Sequence, residues 1–129
     1  MSRGVVTLTP ATREDFAELA ARSEFTPRTP PVRVLALAGK VDGQVIAIGG
    51  ILFWPNGVKH AFADIGPEAR RYPVALHKAG LAVLKLAREH DLRELRAVAA
   101  EPKDAAVRWL TRLGFKPVEG AEGNFVCHL

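Results

Sequence analysis

A proline-marked turn in the middle of the chain joins a strand to a helix, and that junction limits the fold more than any other stretch. Val58 to Ile65 reads as a strand because Asn56-Gly57 just before it marks a hairpin. Gly66-Pro67-Glu68-Ala69-Arg70-Arg71-Tyr72-Pro73 is the turn, and Val74 to His90 follows with helical spacing. Leu76, Ala79, Gly80, Val83, Leu84 and Ala87 make the apolar face of that helix, and Lys78, Lys85 and Glu89 its polar stripe. Leu92 to Ala100 reads as the next strand, so the unit is strand, crossover helix, strand, which predicts a parallel, right-handed pairing. A strand that ends in such a turn also aims the first amides of its helix into open space, where an anion can be held.

The residues before this unit predict an antiparallel meander. Val5-Val6-Thr7-Leu8 is a short β-branched strand, and Thr12-Arg13-Glu14-Asp15 has the form of a capping box opening a helix to Arg22. Pro27, Pro30 and Pro31 make Ser23 to Pro31 a loop. Strands follow at Val32 to Val41 and Gln44 to Phe53, joined by Asp42-Gly43, a dipeptide suited to a two-residue hairpin. After the crossover unit, Asp104 to Leu113 predicts a helix stopped by Gly114, with Ala106, Leu110 and Leu113 on one side. Two closing strands are expected near Phe115 to Glu119 and Asn124 to Leu129.

Length and composition exclude several classes. A chain of 129 residues, 48% hydrophobic and 25% charged, suits one globular domain over residues 1–129. No run approaches the roughly 20 apolar residues of a membrane span, and Met1-Ser2-Arg3-Gly4 does not open a signal peptide, so a cytoplasmic protein without a membrane partner is expected. Cys127 is the single cysteine, read as a buried strand thiol. His60, His77, His90 and His128 show no ligand spacing, so no metal is expected. The net charge of +4 comes without a run of consecutive basic residues and is read first as a solvated basic surface; it would serve an anionic cofactor as readily as nucleic acid, which nothing else in the chain favours.

The element order, together with Ala106-Val107-Arg108-Trp109-Leu110-Thr111-Arg112-Leu113-Gly114-Phe115-Lys116 and Ile65-Gly66-Pro67-Glu68-Ala69-Arg70, resembles the GNAT N-acetyltransferase superfamily over nearly the whole chain. The resemblance implies an α/β (α+β) fold: a mixed central sheet, an antiparallel meander followed by the parallel crossover, and helices on both faces. It implies acetyl-coenzyme A as cosubstrate and an amine as acceptor. The turn after Ile65 would hold the pyrophosphate, and the splayed strand ends, with Ala63 and Ile65, the pantetheine arm.

The family's cofactor loop carries Gln or Arg, two residues, Gly, one residue, then Gly or Ala. Here one frame gives Arg70, Pro73 and Ala75, and a second gives Arg71, Val74 and Leu76. Proline at the first helical position leaves the amides of Val74, Ala75 and Leu76 for a phosphate, with Arg70 and Arg71 adding charge. The family's central-strand glutamate is absent, leaving His60 and Asp64 as candidate bases, and Leu110 stands where a tyrosine acid is frequent. Two functions follow as expectations. One is an N-acyltransferase acting on an amine. The other is a catalytically inactive binding or structural module, of the kind also found in phage-type particles. Strand edges near the C-terminus leave room for a homodimer.

Overall fold

In the computed structural model, residues 5–22, 33–99 and 103–129 are described. The expectations for Met1 to Gly4, for the proline-rich loop Ser23 to Pro31 and for the strand's end at Ala100 lie outside them. Two hairpin turns set the meander. Asp42 and Gly43 both adopt left-handed backbone angles, φ 51° and 78°, as a two-residue turn between twisted strands requires. The second turn is wider. The Gly57 amide donates to the Trp54 carbonyl at 3.0 Å, the Asn56 side chain accepts from the Val58 amide, and only Gly57 has a positive φ.

These turns link β2 (Arg33–Val41), β3 (Gln44–Phe53) and β4 (Lys59–Ile65) in antiparallel register, with β1 (Thr7–Pro10) on the outer edge of β2. A 3-10 helix, Pro67–Arg71, then leads into α2 (Pro73–Glu89), which returns the chain to β5 (Glu94–Val98), parallel to β4. After α3 (Lys103–Leu113), β6 (Lys116–Pro117) and β7 (Asn124–His128) close the sheet, whose order is β1-β2-β3-β4-β5-β7-β6. The first strand starts two residues later than its β-branched run suggested, because pairing with β2 sets its limits as Thr7 opposite Lys40 and Pro10 opposite Leu37. The 3-10 helix was not foreseen; five residues carry too little periodicity to announce it.

Each face of the sheet has its own core. α1 (Arg13–Arg22) covers one, where Phe16 and Leu19 pack with Ala38, Val45, Ile48 and Phe62. Its capping box forms with an aspartate: the Thr12 amide donates to Asp15 at 2.9 Å and the Asp15 amide to the Thr12 hydroxyl at 3.1 Å. On the other face, α2 and α3 together cover Ile51, Leu95, Ala97, Phe125 and Cys127 through Val83, Leu84, Ala87, Val107, Leu110 and Leu113. Helices therefore lie on both faces, one opposite two.

A β-bulge ties this architecture to the turn after β4. The register shifts between Gly39 and Lys40, leaving Ile46 as the extra residue of β3. The Ile46 carbonyl accepts from the Gly66 amide at 2.8 Å, while the Val45 amide donates to the Glu18 carboxylate of α1 at 2.6 Å. One irregularity thus fixes both α1 and the exit of β4.

Candidate cofactor cleft

β4 and β5 run parallel, yet their ladder holds one partnership, His60 with Arg96, near the start of β4 and at the middle of β5. Beyond it the strands share no register, and a gap opens toward their C-terminal ends. Those ends carry exposed apolar residues, Ile65 at 40% and Val98 at 61%. Both helices that follow these strands begin at the same end and run back along the sheet, so the N-termini of α2 and α3 flank the opening. The carboxyl ends of parallel strands, at the point where chain connections diverge, are where open sheets take ligands.

A cleft of about 730 Å³ occupies this place. Ala61, Ala63, Ile65, Ala97 and Val98 line it from the sheet; Tyr72 and Pro73 stand at the turn into α2, and Ala75 and Leu76 follow on the helix. Two helical stripes face each other across it. Pro73, Leu76, His77 and Gly80 form one on α2, and Ala105, Arg108, Trp109 and Arg112 the other on α3, both with the i, i+3, i+4, i+7 spacing of a single helix face. The groove between them closes at its base, where α2 has no side chain: a Cβ on Gly80 would stand 2.9 Å from both Leu113 methyl groups.

The electrostatics have one sign. Arg70, Arg108 and Arg112 line the cleft, no aspartate or glutamate does so among the described residues, and none of the three arginines forms an ion pair there. No side chain caps the start of α2. Pro73 at its first position lacks an amide hydrogen, and the Leu76 amide, expected to be free, donates to the Tyr72 carbonyl at 2.9 Å. That is the first hydrogen bond of the helix, so the amides of Val74 and Ala75 are the ones left over.

Of the residues singled out in the sequence, Ala63, Ile65, Arg70, Ala75 and Leu76 stand in the wall, whereas Arg71 and Val74 are exposed outside it. The wall therefore contains Arg70, Pro73 and Ala75, all three positions of the first loop frame. His60 and Asp64 alternate with Ala61, Ala63 and Ile65 along β4 and so belong to the opposite side of the strand. The Trp54 indole N–H donates to His60 Nδ1 at 3.0 Å, which places the proton of a neutral imidazole on Nε2 and leaves no free lone pair. Asp64 is half-buried, and this burial raises its carboxyl above the ordinary aspartate value. No group of histidine, cysteine or acidic side chains suited to a metal occurs among the described residues. Arg108, Trp109 and Arg112 were not read as site residues; the four-residue spacing of the arginines was visible, but not which side of α3 would meet α2.

No protein-family profile matches the sequence, and no curated protein matches it significantly. Solved structures do. An acetyltransferase of the GNAT family from Staphylococcus aureus Mu50 superposes with a TM-score of 0.71 over 97% of this chain and 99% of its own, at 9% identity. The chain has the GNAT fold. An IAA acetyltransferase from Bacillus cereus shares it at a TM-score of 0.73 and 11% identity, over 97% of this chain and 100% of its own. An N-acetyltransferase from Thermoplasma acidophilum, solved in complex with coenzyme A, shares it at 0.60 and 15% identity, over 74% of this chain and 61% of its own. The mixed sheet of seven strands with helices on both faces matches that fold. No described helix is long and apolar enough to cross a membrane.

Proposed function

We propose that the chain is an acyl-CoA-dependent N-acyltransferase that passes an acyl group, most simply acetyl, to an amine. One observation carries this reading: a single cleft combines an apolar channel between parted parallel strands with three unpaired arginines and no lining carboxylate among the described residues. Coenzyme A needs both surroundings, since it joins a pantetheine arm to a diphosphate. The residues present suit it. The amides of Val74 and Ala75, with Arg70, provide donors for the diphosphate at the start of α2, and Tyr72, Ile65, Val98 and the alanines of β4 and β5 enclose the arm. Relatives of the same fold that are acetyltransferases, one of them solved with coenzyme A, support the reading.

The thioester supplies an activated acyl group, so holding an amine against it provides much of the rate. The amine must arrive neutral or lose its proton on the way. Neither candidate base stands in the cleft wall: His60 and Asp64 lie on the other side of β4, and the His60 lone pair is engaged by Trp54, so deprotonation of the amine falls to solvent.

The test begins with thermal unfolding in millimolar coenzyme A. A rise in Tm that Arg70→Glu removes is expected; no rise in the wild-type protein refutes the assignment. Thiol release from acetyl-coenzyme A with a panel of amines then separates an enzyme from a binding module. Acceptor-dependent release is expected, and binding without it favours the module.

A further inference from the structure

Resting on the acyltransferase reading, we infer that the acceptor is an aminocarboxylate, its amine about 7 Å from its carboxylate, and that Arg96, Arg93 and the Nε2–H of His60 hold this carboxylate on the α1 side of the sheet. The cofactor cleft opens through to that side. Leu95 and Ala97 of β5 belong to the core under α2 and α3, so Arg96 and Val98 point the other way, as His60 and Phe62 do on β4. Phe62 and Val98 nevertheless line the cleft, because the two strands have parted between them. An amine on the α1 side reaches the thioester through this gap. Two residues back along each strand, on the same side, stand His60 and Arg96, the pair at which the ladder still holds. That step along a strand is about 7 Å.

A second cavity, of about 780 Å³, begins at this pair and lies between the β3–β4 turn, which carries Trp54, and the turn into β5, which carries Asp91 and Arg93. Among the described residues the α1 core extends no farther across the sheet than Phe62. The cavity wall is rich in donors. Lys59 and Arg93 form no ion pair among the described residues, and Arg96 gives its Nε to Glu94 at 2.9 Å and keeps its terminal nitrogens. Trp54, by donating to His60 Nδ1, leaves the imidazole a donor at Nε2. Against these stands Asp91, since Glu94 is already held by Arg96. The balance favours an anion, and a carboxylate takes paired hydrogen bonds from a planar guanidinium. With the carboxylate there, an amine about 7 Å away stands at the gap between Phe62 and Val98, a span that an α-amino acid is too short to bridge. Transfer forms the C–N bond and breaks the C–S bond of the thioester; the amine gives its proton to water, and the coenzyme A sulfur takes one up from it.

Three acceptors make the experiment. Thiol release from acetyl-coenzyme A would be followed with 6-aminohexanoate, which has about the required span, with hexylamine, which lacks the carboxylate, and with glycine, whose two groups are too close. The wild type is expected to show a KM for 6-aminohexanoate about tenfold to a hundredfold below that for hexylamine, the range of one or two charge-assisted hydrogen bonds, and to use glycine poorly. Arg96→Gln should bring the two KM values together while coenzyme A still raises its Tm. Arg93→Gln, at an exposed position, should narrow the difference in the same direction and decides the matter if Arg96→Gln does not fold. Equal use of 6-aminohexanoate and hexylamine by the wild type overturns the inference, as does a preference for glycine, or a preference for 6-aminohexanoate that survives both substitutions. If coenzyme A raises Tm but none of the three amines is acylated, the inference falls and the cofactor reading stands. If coenzyme A gives no rise, the cofactor reading itself falls.

Discussion

Gly49 and Gly50 are neighbours on β3, and a methyl group added to each should give opposite results. At Gly50 the new Cβ would meet the Leu35 carbonyl oxygen and stand 2.7 Å from Ala36 Cα, both main-chain atoms of β2. Main chain cannot rotate aside, so β2 and β3 must separate by roughly an ångström against a ladder spacing of about 4.8 Å. That stretch takes about two hydrogen bonds out of range, at about 1 kcal/mol each. Overpacking adds about 1–3 kcal/mol, and the entropy recovered by removing a glycine returns about 0.5–1 kcal/mol. Gly50→Ala should therefore cost about 3 kcal/mol, a large part of the roughly 5–15 kcal/mol that holds a domain folded. At Gly49 the Cβ would stand 3.4 Å from the Phe62 carbonyl oxygen and 3.9 Å from Val83 Cγ2, ordinary contacts, so Gly49→Ala should change stability by less than about 1 kcal/mol. Urea unfolding followed by circular dichroism measures both. With a slope near 2 kcal/mol/M, the midpoint of Gly50→Ala should fall by about 1.5 M at unchanged slope. Midpoints that coincide for the two variants would refute the steric argument.

Three further outcomes follow from titratable groups. Burial works against ionising Asp15, but the Thr12 amide and hydroxyl and Lys40, whose ammonium lies 3.2 Å away, outweigh it, and the carboxyl sits below its ordinary 3.8. Its contribution is complete above the unfolded value and disappears as pH falls through the folded one, so Asp15→Asn should cost about 1 kcal/mol at pH 7 and little in strong acid, by urea midpoints against pH. Asp64 has the opposite sign: burial raises its pKa, so the protein loses stability as pH rises through that value, and Asp64→Asn should be as stable as the wild type or more so at pH 7. Cys127 is buried and its thiol is raised by that burial, with Arg88 opposing, so a chromogenic disulfide reagent should react with it only as fast as the protein unfolds.

The architecture was legible because its signals were local. Asp42-Gly43 and Asn56-Gly57 announced the meander, and the change of period after Pro73 announced the crossover and with it the parallel pair. The site was legible only in part, because its geometry depends on contacts distant in sequence. Whether Arg70 or Arg71 enters the cleft follows from the winding of the 3-10 helix between Pro67 and Arg71, which hangs from the Ile46 carbonyl of a bulge twenty residues earlier. His60 read as a free base because its partner, Trp54, lies across the hairpin. Arg108 and Arg112 joined the site only once Gly80 had brought α3 against α2.

Pro73 shows how the cleft's chemistry is divided. A proline at the first position of α2 costs the helix nothing, since that amide has no partner inside a helix, and its fixed φ suits the first turn. A ligand at the helix start nevertheless meets two main-chain donors, Val74 and Ala75, in place of the closer wrapping that bare glycines allow. Under the proposed reading the attraction lost there would come from side chains, and the guanidinium groups of Arg70, Arg108 and Arg112 line the same cleft. Side chains of that length reach farther than amides, so under the proposed coenzyme A reading the donors available to an anion extend from the tip of α2 into the groove beside it. If coenzyme A binds here as proposed, charge at the wall takes the place of backbone at the turn, and Arg70→Glu should weaken binding more than Pro73→Gly does.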